Sequence, residues 1–373
     1  ATGKWHNGPA SLRRAFQRGR SLMLGGMCDH NAVPLVDLDP ASHTLVGKRV
    51  GDRRSSVLFA DAALAMLGEH RRDRPDAPFF LYVAFTAPHD PRDPPPDLAG
   101  RARERPPLPR NFLPQVPWFA DRSWGHLRDE VLAAWPRTEA VVRDQLAEYY
   151  GLIAELDQQI GRILGALDDG GAARDTIVVF AADHGLALGS HGLLGKQSVF
   201  EHSMGCPLAI AGPGIPRGET RPALVYLLDL FPTLCGVGGA VVGEGVEGRD
   251  LMPVVRGEST GVRDSLFTMY AATQRAVRDQ RFELVRFPEI DTTLLFDLQQ
   301  DPDECVDLSA RPEHRATLLR LRRELEGWQE RSGDGCPWVV AKPRPVHVDL
   351  SGRPRKPDRW QPEWIRRKYF GVR

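Results

Sequence analysis

Thr176-Ile177-Val178-Val179-Phe180-Ala181-Ala182-Asp183-His184-Gly185 is the stretch that decides the fold class. An apolar, β-branched run shows no alternation and gives way at once to polar residues able to do chemistry. Such a run suits a strand in a sheet covered by helices, where both faces are buried. Upstream of it, Val142, Leu146, Tyr149, Tyr150, Ile153, Leu156, Ile160, Ile163 and Leu167 recur at helical spacing, and Gly170-Gly171 closes the pattern, as glycine does at helix ends. A helix followed by a buried strand predicts a crossover onto a mainly parallel sheet. Phe79 to Phe85, leading into Thr86-Ala87-Pro88-His89-Asp90-Pro91, and Pro207 to Ala211 are two further strand-like runs. The predicted fold class is therefore α/β, a mainly parallel sheet sandwiched by helices. Ligands of such sheets bind beyond the carboxyl ends of the strands, where His89 and Asp183-His184 stand by position, so both are expected at one crevice.

After Leu251-Met252-Pro253 the pattern changes to short antiparallel candidates at Ser265 to Tyr270, Arg275 to Val277, Arg281 to Phe287 and Leu294 to Leu298, with Asp279-Gln280 as a tight turn. A helix from Pro312 to Arg331 follows, with Leu318, Leu319, Leu321 and Leu325 at its apolar positions. The expected organisation is an α/β domain over residues 1–255, a small α+β subdomain over 256–333 and an extended tail over 334–373. Trp360, Trp364, Tyr369 and Phe370 are expected to anchor the tail. The segment from Arg92 to Pro136, with Phe112, Trp118, Phe119 and Trp124, reads either as a substrate wall or as a loop packed by its own aromatics.

With 42% hydrophobic side chains over 373 residues, the chain can bury a substantial core. Its net charge of +0 gives no basic field to attract nucleic acid, and no apolar run reaches the roughly 20 residues of a membrane span. The five cysteines are scattered, with no C-x-x-C pair, so neither a disulfide framework nor a zinc motif is indicated. Cys206 and Cys235 are expected as buried small hydrophobes.

Arginine has replaced lysine almost everywhere, and of the six lysines two stand in Gly-Lys dipeptides beside histidines. Lys4 lies in Thr2-Gly3-Lys4-Trp5-His6-Asn7-Gly8, and Lys196 in Gly189-Ser190-His191-Gly192-Leu193-Leu194-Gly195-Lys196. A compact ammonium approaches an oxygen of a tetrahedral anion as a point charge, and the glycines are expected to let a ligand come close. Asp183 and His184 offer a divalent cation one carboxylate and one imidazole, too few by themselves. His89 is a candidate proton donor.

Taken in order, these motifs resemble the type I, formylglycine-dependent sulfatases of the alkaline phosphatase superfamily. T-G-K-W-H-N-G is similar to the second signature of that family, A-P-H to the segment carrying the histidine next to the scissile oxygen, and A-D-H-G with G-S-H-G-L-L-G-K to the calcium and sulfate segment. The resemblance covers residues 1 to about 333 and includes L-F-D-L-Q-Q-D-P-D-E. It implies a sulfuric ester hydrolase in which Lys4 and Lys196 hold the sulfate, His89 protonates the leaving oxygen, His6 serves the nucleophile, and Asp183 and His184 bind Ca2+. The paired aspartates and the C-x-P-x-R or S-x-P-x-R nucleophile motif of the family occur nowhere in the sequence. They are expected in a preceding N-terminal segment, without which this chain would be inactive. The implied partner is a sulfated small molecule or carbohydrate, with no nucleic acid, and family habit implies a periplasmic or secreted location. Alternatives are a phosphonate monoester or phosphodiester hydrolase of the same superfamily, or a non-catalytic ligand-binding remnant.

Overall fold

The computed structural model describes residues 1–101, 106–118, 127–347, 349–350 and 361–371. None of its helices is long and apolar enough to cross a membrane. The chain divides into two compact units, one made of Ala1–Pro107, Glu139–Thr176 and Pro357–Arg373, the other of Leu108–Thr138 and Ile177–Lys356.

The first unit is built on a five-stranded sheet of β1 (Thr2–Trp5), β2 (Gly19–Leu24), β3 (Pro34–Leu38), β4 (Leu45–Val50) and β5 (Val83–Ala84), in the order β4-β3-β2-β1-β5. Strand β1 runs parallel to both β2 and β5, while β3 is antiparallel to β2 and β4. Successive residues of a strand face opposite sides, and β2 shows why this sheet needs helices on both. Leu22 packs with Leu12 and Phe16 at helix α1 (Pro9–Ala15), whereas its neighbour Met23 packs with Leu58 and Phe59 of helix α2 (Ser55–Asp73). The α/β class follows from these two apolar faces.

The run Phe79 to Phe85 forms less strand than its composition predicts, because only Val83 and Ala84 pair with β1. Strand β1 is four residues long and offers few partners, so Phe80 remains 64% exposed and stacks on Phe16 instead.

Helix α4 (Glu139–Asp169) packs against α2 and α3 (Pro96–Arg101). Val142, Leu146 and Leu167 are buried as the spacing predicts, but Tyr150 and Ile153 face water while Gln145, Glu155 and Gln159 are buried. The apolar pattern misplaces this face because polar partners claim it. Arg54 donates from Nε and Nη2 to the two Glu155 oxygens at 2.6 and 2.7 Å, a bidentate pair, and Arg92 binds Gln145.

The tail returns to α4 through the helix Glu363–Phe370. The Tyr369 hydroxyl donates to Asp144 at 2.6 Å, Lys368 Nζ reaches Glu148 at 2.6 Å, and Ile365 is buried. Polar contacts therefore replace most of the expected aromatic anchor: Trp364 is 41% exposed and Trp360 lies outside the described residues.

In the second unit, β6 (Val178–Ala181) pairs antiparallel with β7 (Leu208–Ala211), Val179 opposite Ile210, as a two-stranded sheet. This corrects the predicted parallel crossover after α4, because an apolar run reports burial but carries no information on strand direction. Burial itself is incomplete, with Phe180 44% exposed. Cys206 and Cys235 are half-buried rather than buried, and all five cysteines are free.

The four antiparallel strands arise as predicted: β8 (Leu266–Tyr270), β9 (Gln274–Arg278), β10 (Phe282–Phe287) and β11 (Thr292–Asp297), in the order β11-β10-β9-β8. Asp279 closes the β9–β10 turn, its Oδ1 accepting the N–H groups of Arg281 and Phe282. One face of the sheet carries Val277, Leu284 and Leu295 against Leu321 and Leu325 of the long helix Arg315–Ser332. Each of those leucines contributes about 2 kcal/mol by burial, while Leu319, predicted on the same stripe, is 43% exposed. The other face, with Ala276, Val285, Leu294 and Phe296, packs on Leu193, Val199 and Phe200.

Candidate active site

Lys4, His6 and His89 belong to the first unit, and Asp183, His184 and Lys196 to the second. Each set is built by its own unit's strands.

Strand β1 delivers Lys4, half-buried and registered opposite Met23 of β2, and ends one residue before the exposed His6. Gly3 has φ +92°, and a Cβ there would stand 1.9 Å from the carbonyl oxygen of Ala84. The glycine before Lys4 is thus required for β5 to close on β1, not for a ligand to approach. Trp5 Nε1 donates to the Gly8 carbonyl at 2.9 Å, and the Ser11 hydroxyl donates to the Asn7 carbonyl at 2.6 Å, which fixes the turn carrying His6.

Beyond β5, His89 lies between two cis peptide bonds, Ala87-Pro88 and Asp90-Pro91. Its Nδ1 is 2.9 Å from the Asp90 carbonyl oxygen and 3.1 Å from the Asp90 carboxylate, so Nδ1 carries a proton and the ring is oriented from that side. Asp90 is buried and also accepts from the Gln361 amide. A supporting chain holds the backbone of this turn. His30 Nε2 donates to the His89 carbonyl at 2.9 Å, which leaves His30 Nδ1 to accept from the Ser55 hydroxyl, and Ser55 Oγ is in turn 2.9 Å from Thr86 Oγ1. Burial pushes His30 down, in keeping with that neutral tautomer.

At the end of β6, Asp183 is exposed and its Oδ2 lies 3.5 Å from His184 Nε2. His184 Nδ1 donates to the Gly185 carbonyl at 3.0 Å, so Nε2 presents a lone pair toward the carboxylate. Two electron-rich atoms facing each other suit a cation. Calcium takes roughly six to eight oxygen ligands, so this pair supplies only a fraction of a calcium shell.

The loop from Gly189 to Lys196 is gripped by Asp129 and Glu130, two residues of the Arg92–Pro136 segment that the sequence reading did not single out. The Glu130 carboxylate accepts the N–H groups of Leu194 at 3.1 Å and Gly195 at 2.8 Å, and pairs with Arg137 at 2.8 Å, both side chains being withdrawn from water. Lys196 Nζ stands 3.5 Å from Asp129 Oδ2, an oxygen that also accepts from Gln197 Nε2. Adjacent acids Asp129-Glu130 inside the aromatic excursion were the available signal. Within that excursion Trp118 packs inward on Phe200 and His191, while Phe119 and Trp124 lie outside the described residues.

The same unit gathers a third group that sequence order scatters: His191, His202 and Glu304 each offer a ligand atom within 4.8 Å of the others.

Residues 1–240 match the family model described as Sulfatase. The chain belongs to the sulfatase family. Within this sulfatase chain, residues 189–331 also match the model described as N-sulphoglucosamine sulphohydrolase, C-terminal. An arylsulfatase of Clostridium perfringens is 29% identical over 284 residues, covering 71% of this chain and 57% of the relative. A choline-sulfatase of Rhizobium meliloti is 31% identical over 299 residues, covering 71% of this chain and 54% of the relative. Among solved structures, the yidJ protein of Bacteroides fragilis aligns with a TM-score of 0.71 at 22% identity, over 91% of this chain and 76% of that one. The sulfatase chain thus spans between half and three-fifths of the length of these curated relatives.

Proposed function

We propose that this chain serves the hydrolysis of a sulfate monoester carried by a small molecule or a carbohydrate. His89 is the proton donor to the departing oxygen, Lys4 and Lys196 hold the sulfate oxygens, and His6 is the base that serves the nucleophile. The observation that carries this reading is the His89–Asp90 pair. With Nδ1 committed to Asp90, proton transfer falls to Nε2, and a ring oriented from one side is what a positioned general acid requires.

The charge that develops on a sulfate oxygen during attack is met by fixed cations that need no rearrangement. Lys196 suits this because the backbone just before it, at Leu194 and Gly195, is held by Glu130 and its ammonium is aimed by Asp129. Lys4 suits it because β1 is locked between β2 and β5. A formylglycine side chain, as in the family, would supply the hydroxyl that attacks sulfur. Asp183 and His184 would contribute two ligands to a calcium ion, and among the described residues no third His, Cys, Asp or Glu joins them, so no step is assigned to that ion. Export to the periplasm or the exterior is part of the same proposal.

The test is turnover of an aryl sulfate against an aryl phosphodiester by an active preparation of the enzyme. Faster sulfate turnover, lost in His89→Ala, supports the proposal. Faster phosphodiester turnover overturns it in favour of the related hydrolase activity, and no turnover of either with retained sulfate binding overturns it in favour of a binding protein.

A further inference from the structure

We propose that His191, His202 and Glu304 form a buried binding site for a divalent transition metal of the zinc class, built from residues other than Asp183 and His184. One imidazole nitrogen from each histidine and one carboxylate oxygen lie within 4.8 Å of one another. Two nitrogens and one carboxylate oxygen form a donor set typical of zinc, whereas calcium prefers oxygens throughout.

The hydrogen-bond pattern argues for a cation at this point. Asn111 Nδ2 donates to the Asp303 carbonyl at 2.6 Å, which fixes the amide, and the same nitrogen lies 3.3 Å from His191 Nε2. His191 Nε2 is therefore an acceptor and carries a lone pair. It faces Glu304 Oε2 at 3.4 Å. Glu304 is an acceptor as well, since both its oxygens take the Glu201 N–H at 3.2 Å.

Glu283 lies on the same sheet face as Val285 and is buried, and its Oε2 has no hydrogen-bond partner. Across the 3.4 Å gap between His191 and Glu304 an imidazole lone pair faces a carboxylate oxygen, with both side chains withdrawn from water. An uncompensated pair of buried acceptors is costly, and a metal ion there removes the cost.

His202 supplies the third donor. Its Nδ1 is buried and has no hydrogen-bond partner, while its Nε2 is 2.9 Å from the Ser198 hydroxyl. Phe200 stacks 4.3 Å from the His191 ring, and Trp118 and Phe296 close the wall, giving the dry shell that strengthens metal–ligand bonds. Bound here, the ion would tie the loop that leads to Lys196 and the helix Glu201–Met204 to the turn that follows β11.

The experiment strips the purified protein with a chelator and titrates it with Co2+ in calcium-free buffer, reading ligand-field absorbance and melting temperature. Saturable uptake of one equivalent with a rise in melting temperature is expected. His202→Gln and Glu304→Gln should each weaken Co2+ binding about tenfold or more, and Asp183→Asn should leave it unchanged. Absence of saturable uptake by the stripped wild-type protein overturns the proposal, as does uptake lost in Asp183→Asn. Should the glutamine variants fail to fold, wild type against Asp183→Asn decides by itself.

Discussion

Lys196 Nζ lies 3.5 Å from Asp129 Oδ2, and Gln197 Nε2 donates to the same oxygen at 3.1 Å. A lysine on a flexible four-carbon stem has no preferred direction of its own, so Asp129 sets where its charge points. Asp129→Asn keeps the size of the side chain and removes the charge. The expected result is a fall of about tenfold in kcat/KM for a sulfate ester with a parallel weakening of inhibition by inorganic sulfate. The fold should persist, because Glu130 and Arg137 still hold the loop. Unchanged sulfate inhibition would remove Asp129 from this role.

If His89 donates the proton, its loss should matter most for poor leaving groups. His89→Ala is expected to lower kcat by at least about tenfold for alkyl sulfates and by much less for sulfates of acidic phenols, whose oxygens leave without help. The check is a plot of log kcat against leaving-group pKa for wild type and variant. Parallel lines would show that His89 does not act as the acid.

Gly192 has φ +76°, and a Cβ there would come 2.3 Å from the backbone carbon of Gln115 and 2.5 Å from the nitrogen of Val116. Neither atom can move aside as a side chain would. Gly192→Ala should destabilise the protein by about 3 kcal/mol, from left-handed strain plus overpacking. Thermal unfolding reads this directly, and a melting temperature within a degree or so of wild type would contradict the packing described.

Arg275 donates from Nε to Asp334 at 2.6 Å and from Nη2 at 2.9 Å, and holds that carboxyl down at about 2 against the ordinary 3.8. Because the folded value lies below the unfolded one, the pair contributes stability above the unfolded value, and the contribution is lost as pH falls through about 2. Asp334→Asn should therefore melt lower than wild type near neutrality, with the gap closing between about pH 4 and pH 2. A gap that stays constant across that range would exclude this linkage.

The antiparallel subdomain was the most legible part of the sequence. Asp279 and the short apolar run from Phe282 to Phe287 encode turn and strand locally, and β9 and β10 follow within a residue or two. The direction of β6 was illegible, because Val178 to Ala181 would look the same beside a parallel or an antiparallel neighbour. The buried face of α4 was half legible: Glu155 is inside because Arg54 reaches it from the start of another helix, and Gln159 is capped by Arg162 one turn further along the same face. At the candidate site, the motif residues Lys4, His89, Asp183 and Lys196 could be picked out by type and spacing. Their supports could not. Asp129 and Glu130 stand more than sixty positions from Leu194, Gly195 and Lys196, and their adjacency within an aromatic segment signals a role without naming those partners.

The division into units runs against the order of the chain. Its five segments alternate between the two units, so the backbone leaves one for the other at Pro107, Thr138, Thr176 and Lys356. The second unit lies wholly within residues 108–356, so a gene cut on either side of that span leaves it whole, whereas the first unit reaches from Ala1 to Arg373 and every single cut divides it. Recombination that moved residues 108–356 as one block would carry Asp129 and Lys196 away together but would also take Glu139–Thr176 from the first unit, so the unit that holds Lys4 and His89 would be left incomplete.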